Sequence, residues 1–176
     1  MMIDHDASRE LRYGWTTGAC ACACASGAFV GLITNQIPNR IDIALPKERT
    51  AQFALINSGV YHHTAHATTI KDAGDDPDVT HGARITVHLR KIDEEGPIFL
   101  AGPGVGHITK PGLPLDIGEG AINPKPRAMI GDNLKRLADL HGVPAQMARQ
   151  LAITISVANG AKIARKTWNP RLGIVG

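Results

Sequence analysis

Aromatic residues are scarce in this sequence: Phe, Trp and Tyr together make up 4% of its 176 residues. Proteins that bind nucleic acid commonly combine clustered basic residues with aromatic side chains on which bases stack. Here the net charge is only +3, and the Lys and Arg residues are scattered along the chain. We therefore expect no nucleic-acid partner, whereas a polyanionic small molecule suits a mildly basic surface.

Long apolar runs are also lacking. No segment approaches the roughly eighteen consecutive apolar residues that cross a bilayer, and the charged N-terminus MMIDHDASRE lacks the apolar stretch of a secretion signal. With 43% hydrophobic residues, the chain still has enough apolar material to bury a core. We expect a globular, cytoplasmic protein with no membrane partner.

Candidate soft metal ligands are few. The cysteines Cys20, Cys22 and Cys24 lie too close together for ordinary structural disulfides, which favours a reducing compartment. On a helix, Cys20 and Cys24 would share a face and Cys22 would point away, so we interpret them as small packing residues. His62 and His66 would share one face of a strand, and we interpret them as surface residues. No protein-bound metal is expected.

The pattern of apolar residues predicts an α+β fold with a largely antiparallel or mixed sheet and packed helices. A first helix, rich in small residues, is predicted to start at an N-cap, Thr16 or Thr17. Alternation in ARITVHLRKI predicts a half-buried strand. The other predicted elements are a hairpin of RIDIAL and AQFALI, strands in VYHHTAHATTI, GPIFLAG and LAITISVA, a helix near residues 124–142 with Ile130, Leu134, Leu137 and Leu140 on one face, and a short basic helix in NGAKIARKTW.

Four aspartates and a histidine crowd into the stretch IKDAGDDPDVTHGA, residues 70–83, which we call the aspartate loop. Asp, Gly and Pro are ordinary turn residues, so a solvated turn is one interpretation. An active-site loop is a second, and a site for a hard divalent cation is a third. The spacing does not match the pattern of a calcium loop and Pro77 interrupts it, which disfavours the metal site.

A segment rich in Gly and Pro covers residues 101–120. A loop of this length inside a compact domain is usually functional or disordered. Because Gly102, Gly104 and Gly106 lack side chains, backbone N–H groups there can approach a bound cofactor closely. Lys110 follows them in the sequence and is placed to meet a carboxylate or phosphate.

Five blocks of unusual residues occur in order along the chain: RYGWTTGAC, KDAGDDPDVTHGA, GVGHITKPGL, AINPKPR and KTWNPRLGIVG. Together they closely resemble the signature blocks of the CbiD family of cobalamin (vitamin B12) biosynthesis, over nearly the whole chain from Leu11 to Gly176. The resemblance implies methyl transfer from S-adenosylmethionine, the methyl donor, to carbon 1 of cobalt-precorrin-5B. It also implies a fold like a rearranged second domain of ribosomal protein S5.

The resemblance further implies a division of the family's chain into two domains. Residues 1–170 would form the N-terminal α+β domain, and residues 171–176 would begin the connection to a second α/β domain that is absent here. The expected partners are an anionic cobalt-tetrapyrrole substrate and the missing C-terminal domain, and a homo-oligomer is compatible with the sequence. The alternative is a non-catalytic tetrapyrrole-binding or interaction module left by truncation.

The implied substrate carries many acetate and propionate carboxylates on its ring, so Lys and Arg side chains are expected to bind it. The start of the first helix, at Thr16 and Thr17, offers free backbone N–H groups for one more carboxylate. The candidate substrate-binding cations within the family-like blocks are Lys71, Lys110, Arg127, Lys166 and Arg171.

The aspartate loop is expected to border the reaction site of such an enzyme. One or more of its carboxylates would stabilise the donor's positive sulfonium or bind its ribose hydroxyls. His81 would orient the loop or move a ring proton. The candidate catalytic residues are Asp72, Asp75, Asp76 and His81. Because the substrate already contains its cobalt, the loop need not bind a metal.

Overall fold

The computed structural model of the protein describes the backbone of residues 11–167 and 174–175, and the side chains of residues 11–163. Within these residues the chain forms four helices and nine strands. In order they are α1 (Thr17–Thr34), β1 (Arg40–Leu45), β2 (Arg49–Ala54), β3 (Ile56–Tyr61), β4 (Thr64–Ile70), β5 (Arg84–Lys91), β6 (Ile98–Ala101), β7 (His107–Ile108), α2 (Pro124–Leu140), α3 (Gln146–Arg149), β8 (Leu151–Val157), α4 (Gly160–Thr167) and β9 (Ile174–Val175).

The central sheet has five strands in the order β3-β4-β5-β8-β6. Strand β6 runs parallel to β8, and the other neighbours are antiparallel. The parallel pair is possible because α2 lies in the long connection between β6 and β8 and returns the chain to the same end of the sheet. Strands β1 and β2 form a separate antiparallel hairpin, as predicted. The α+β class with a mixed sheet is confirmed.

Helix α1 is the central helix of the core. It begins where predicted, because the Thr16 side chain accepts a hydrogen bond from the Ala19 N–H at 3.1 Å. It ends at Asn35, which adopts the left-handed conformation with φ 61°. A Cβ at Gly27 would lie 2.1 Å from a methyl of Leu55, so the missing side chain allows a close approach. The three cysteines are fully buried among these contacts, which confirms their packing role.

By length and composition α1 could cross a membrane, which the search for uninterrupted apolar runs had missed because Ser, Thr and Gly interrupt the sequence. However, 67% of the helix is buried inside the domain, against strands β4 and β5 and helix α2. We therefore assign it to the core of the domain.

The stretch VYHHTAHATTI corrects the sequence analysis. It forms two strands, because the chain reverses at His62, where φ is 51°, and the Thr64 hydroxyl donates to the Tyr61 carbonyl at 2.8 Å. The expectation that His62 and His66 share a strand face is therefore wrong. His66 instead stacks on His88 of β5, with ring centroids 5.2 Å apart. The Val, Tyr, Thr and Ile residues on both sides favour strands, and no Gly, Pro, Asn or Asp marks the turn between them.

The packing of α2 matches the predicted face except at its end. Ile130, Leu134 and Leu137 are buried, but Leu140 in the last turn is 71% exposed. The short helix α3 was not predicted. On β5 the alternation was read correctly: Ile85, Val87 and Leu89 are fully buried.

Candidate functional site

A large cleft of about 1220 Å³ opens between the starts of α1 and α2, the turn between β1 and β2, and the glycine loop at residues 104–106. Its volume exceeds the usual range for small-molecule sites, roughly 300 to 1,000 Å³, so it can take a large ligand. Most of its lining is apolar, including Trp15, Met129 and Ile155. Trp15 packs against Phe53 with ring centroids 5.3 Å apart, which fixes one wall.

Two helix N-termini meet at this cleft. A Cβ at Gly18 in the first turn of α1 would lie only 2.9 Å from Pro126 in the first turn of α2, so the two helix starts are adjacent. The α2 start carries proline, whose missing N–H costs nothing at this position, and Asn123 makes no side-chain capping bond. The positive ends of both helix dipoles therefore face the cleft, which favours an anionic ligand.

Three cationic side chains, Lys47, Arg49 and Lys125, line the same cleft, and we call them the cation rim. All three are exposed. In the part of the chain that the structure describes, none of them has a recorded ion pair or side-chain hydrogen bond, and no Asp or Glu lines the cleft. The sequence analysis missed the whole rim. Lys125 lay within the quoted block AINPKPR, whereas the turn containing Lys47 and Arg49 carried no signal of function.

Four predicted binding residues do line the cleft: Thr16, Thr17, Gly104 and Gly106. Gly102 does not line it. Its N–H donates to the Ile155 carbonyl at 2.8 Å, and a Cβ there would lie 2.2 Å from the Ser156 hydroxyl. The first glycine of the loop is therefore required for packing against β8.

Gly104 both lines the cleft and is required for packing. Its φ is +79°, and a Cβ would lie 1.9 Å from the Val157 carbonyl oxygen, so only glycine fits. The close approach also brings it against Gly160 at the start of α4. The loop thus reaches the cleft because it is pressed onto the end of β8.

Arg127 does not face the cleft as predicted. Its Nε donates to the Ile122 carbonyl at 2.8 Å and its guanidinium pairs with Glu119 at 2.8 Å. The group also lies 5.4 Å from the centre of the Phe99 ring. Arg127 therefore fixes the loop before α2 and supports the cleft wall instead of meeting a ligand.

Lys71 is the second correction among the predicted cations. It is 1% exposed, and its Nζ lies 2.6 Å from Asp78 Oδ2. Burial and this ion pair leave it unable to reach a substrate carboxylate. Lys110 is exposed but does not line the cleft. The side chain of Lys166 and the whole of Arg171 lie outside the described residues.

The aspartate loop fastens the segment that leads into α1. The Asp75 carboxylate accepts the Arg12 N–H at 2.8 Å, and the Arg12 guanidinium pairs with Asp72. The Trp15 N–H donates to the Asp72 carbonyl at 2.7 Å, and Gly74 forms an antiparallel bridge with Tyr13. The loop therefore holds Tyr13 and Trp15, which line the cleft, although no residue of the loop does so itself.

Two charges of this loop, on Asp72 and Asp78, are matched by cations inside the protein. The Gly74 N–H and then Arg12 lower the pKa of Asp72. Hydrogen bonds from Lys71 and Thr80 lower the pKa of Asp78 to about 2. Both carboxylates are thus held ionised by groups that belong to the fold.

His81 has a structural contact as well. Its Nδ1 accepts the Ala73 N–H at 3.1 Å, which assigns the proton of a neutral imidazole to Nε2. Asp76 has no recorded partner for its carboxylate in the described chain. The four predicted catalytic residues are thus close to one another but are not brought to the cleft with the predicted binding residues.

No group of three His, Cys, Asp or Glu side chains able to hold a metal occurs among the described residues. Burial raises the pKa of Cys20 to about 11 and that of Cys22 to about 12, so both remain thiols at neutral pH. The methyl donor implied by the family resemblance carries a sulfonium and an ammonium group. The described cleft lining offers no carboxylate for them, so it fits a carboxylate-rich substrate but not the positive end of the donor.

Comparison with known proteins adds independent information. The CbiD family model matches residues 4–176. The cobalt-precorrin-5B C(1)-methyltransferase of Brucella ovis is 49% identical over 168 residues, which cover 95% of this chain and 45% of that protein. The enzyme of the same name from Paramagnetospirillum magneticum is 51% identical over 169 residues, covering 96% and 46%. The chain thus spans somewhat less than half the length of these relatives.

A solved structure shows the same fold. The crystal structure of a cobalamin biosynthesis protein, CbiD, from Archaeoglobus fulgidus superimposes with a TM-score of 0.66 at 23% sequence identity. The match covers 99% of this chain and 58% of that one. At this level of identity the likeness concerns the fold alone.

Proposed function

This chain belongs to the CbiD family, and we propose on that basis that it is the N-terminal, substrate-binding part of a cobalt-precorrin-5B C(1)-methyltransferase that uses S-adenosylmethionine. Residues 1–170 would form its first domain, and residues 171–176 would begin the link to a second, α/β domain in the cytoplasmic enzyme. The relatives' greater length supports that division. The mixed sheet with α1 packed on one face is compatible with the expected likeness to ribosomal protein S5.

The observation that carries the proposal is the composition of the cleft. A cobalt-precorrin is a broad apolar ring edged with acetate and propionate carboxylates. The cleft is large and mainly apolar, and the charged side chains among its described lining residues are all cationic. An apolar floor matches the ring and the cation rim matches its edge.

The chain's own contribution to methyl transfer is positioning. S-adenosylmethionine, when bound, supplies an electrophilic methyl group, and the substrate's conjugated ring is already electron-rich, so alignment and exclusion of water are the main requirements. Trp15 and Met129 would contact the ring and keep water away from it. Because the lining does not fit the positive end of the donor, we propose that this end is bound by protein outside the chain.

We propose that Asp72, Asp75, Asp76 and His81 border the reaction site as positioning residues. Asp72 and Asp75 hydrogen-bond to the segment from Arg12 to Trp15, and that segment forms one edge of the cleft. His81 and Asp76 bond within the loop, to the N–H and the carbonyl of Ala73, and so support the two aspartates. Loss of these bonds would alter the cleft's shape without altering its charge.

The test is reconstitution. We expect the chain alone to show little methyl transfer from S-adenosylmethionine to cobalt-precorrin-5B, and the chain joined to the C-terminal part of a relative to show turnover. Ala121→Phe, which fills the cleft, should abolish the restored activity. Ala128→Phe places the same ring on an exposed surface outside the cleft and is the matched control.

Three results would contradict the proposal in different ways. Full turnover by the chain alone would place the complete site within it. Tetrapyrrole binding without turnover in the joined, folded protein would favour the alternative, a non-catalytic binding module. Equal activity of the two Phe variants would move the site away from this cleft.

A further inference from the structure

The turn between β1 and β2 has an unusual backbone. Lys47 and Glu48 are consecutive non-glycine residues with positive φ, 62° and 55°. Hairpins that need two left-handed residues normally place Asn and Gly there, because a Cβ in this conformation is unfavourable. In the sequence PKER, residues 46–49, both left-handed positions are instead occupied by long charged side chains.

The strained turn is also a wall of the cleft. Leu45, Pro46, Lys47 and Arg49 line it, whereas Glu48 does not. The left-handed pair therefore separates two charges of opposite sign, with the cation at the cleft and the carboxylate away from it. Residues held in unfavourable backbone conformations often occur at binding sites, where the surrounding structure maintains them.

No recorded contact with the described residues explains the position of the Lys47 side chain. In the described chain its ammonium has no recorded hydrogen bond or ion pair, and the residue is exposed, so it makes no evident contribution to the fold. Arg49 is the first residue of β2 and lies opposite Leu45, the last residue of β1. It supplies a second cation at the same tip of the hairpin. Two cations at one hairpin tip can each pair with a carboxylate of a ligand that carries several.

We propose that the β1–β2 turn is a carboxylate-recognition arm for the tetrapyrrole edge, in which Lys47 is the specificity-determining residue and its left-handed backbone is retained at the expense of stability. This inference rests on the proposed function, since it concerns the ligand of the same cleft. It adds which residue selects the carboxylates, and it predicts opposite changes in stability and binding for one substitution.

The experiment compares three variants of the chain, with a uroporphyrin as the probe because it is a soluble tetrapyrrole edged with acetate and propionate groups. Lys47→Gly should raise Tm by roughly 1–3 °C, because relief of the left-handed strain exceeds the extra freedom of glycine in the unfolded state. The same variant should bind uroporphyrin roughly threefold to tenfold more weakly, as expected for one exposed charge pair. Lys47→Met should weaken binding equally and leave Tm unchanged.

Glu48→Gly is the matched control, with nearly the same φ but a carboxylate outside the cleft. It should raise Tm as Lys47→Gly does and leave uroporphyrin affinity unchanged or slightly higher. The salt dependence of binding should be smaller for Lys47→Gly than for the unchanged chain, since one cation fewer is engaged.

The outcomes separate this inference from the function on which it rests. Uroporphyrin binding that falls equally in Lys47→Gly and Glu48→Gly, or in neither, overturns the recognition arm while leaving a tetrapyrrole cleft. A folded, unchanged chain that does not bind uroporphyrin overturns both. A lower Tm for Lys47→Gly shows that the backbone of the turn is not strained, and it removes the argument that binding maintains it.

Discussion

The aspartate loop and the cation rim are both rich in charge, but they differ in how many of their charges have partners within the protein. Two aspartates of the loop meet cations of the same chain: Asp78 pairs with the buried Lys71, and Asp72 with Arg12. In the rim, Lys47 and Lys125 have no recorded partner in the described chain. From the family resemblance we expected the loop to border the reaction site, and no expectation was formed for the rim, which lines the cleft itself.

The difference shows how to separate architecture from ligand binding by electrostatics. A carboxylate whose pKa is lowered by groups of the same chain already has its counter-charge, so its contribution goes into stability. A set of like charges around an apolar cleft has no such compensation and favours a ligand of opposite sign. Changes in the loop should therefore affect unfolding, and changes in the rim should affect binding.

The largest effect on stability is expected from Gly74→Ala in the loop. Its φ is +63°, and a Cβ would lie 2.1 Å from the Arg12 carbonyl oxygen, so the loop cannot hold the segment before α1. We expect a loss of about 3 kcal/mol in the free energy of unfolding. The measurement is urea denaturation followed by circular dichroism.

Gly82→Ala is the control for this change. Its φ is +76° but a Cβ there meets nothing within 4 Å, so only the backbone penalty of about 1 kcal/mol should remain. Equal losses for the two alanine variants would show that contact with the segment before α1 does not stabilise the protein.

A smaller effect is expected from Asp78→Asn, and it should depend on pH. The folded-state pKa of Asp78 is about 2, below its ordinary value of 3.8. Its contribution to stability is therefore present above about pH 4 and is lost as the pH falls towards 2. Because Asp78 is 39% exposed, we expect the variant to lose only about 1 to 2 kcal/mol at pH 6.

Urea denaturation at several pH values tests this expectation. The two proteins should converge in stability at low pH, where Asp78 is protonated in both folded and unfolded chains. Asp76→Asn is the control within the same loop, because its carboxylate has no recorded partner in the described chain, and it should change stability little at any pH. A constant difference between Asp78→Asn and the unchanged chain down to pH 2 would contradict the ion-pair explanation.

The smallest effect on stability is expected in the rim. Lys125→Ala should change the free energy of unfolding by no more than about 0.5 kcal/mol, since the side chain is exposed and its amine has no recorded partner in the described chain. Tetrapyrrole affinity should fall roughly threefold to tenfold. Lys135→Ala on the exposed side of the same helix is the control for affinity. A large loss of stability in Lys125→Ala would remove the contrast between rim and loop.

Local chemistry explains which parts of the fold were predictable. The Thr16 cap and the alternation of Ile85, Val87 and Leu89 depend on neighbouring residues, and both were predicted correctly. The reversal at His62 was missed because no Gly, Pro or Asn marks it. Its position is set by the pairing of β3 with β4, and β4 is in turn held by β5, which lies further along the chain.

The sequence by itself determined the family, the α+β class and the central small-residue helix. These follow from residue order and periodicity, which need no knowledge of distant contacts. Only the tertiary structure decided which charges have partners: Lys71 and Arg127 meet Asp78 and Glu119, whereas Lys47 has no recorded ion pair with the residues that the structure describes. A side chain carries the same charge in either setting, so its role depends on which groups the fold places within reach of it.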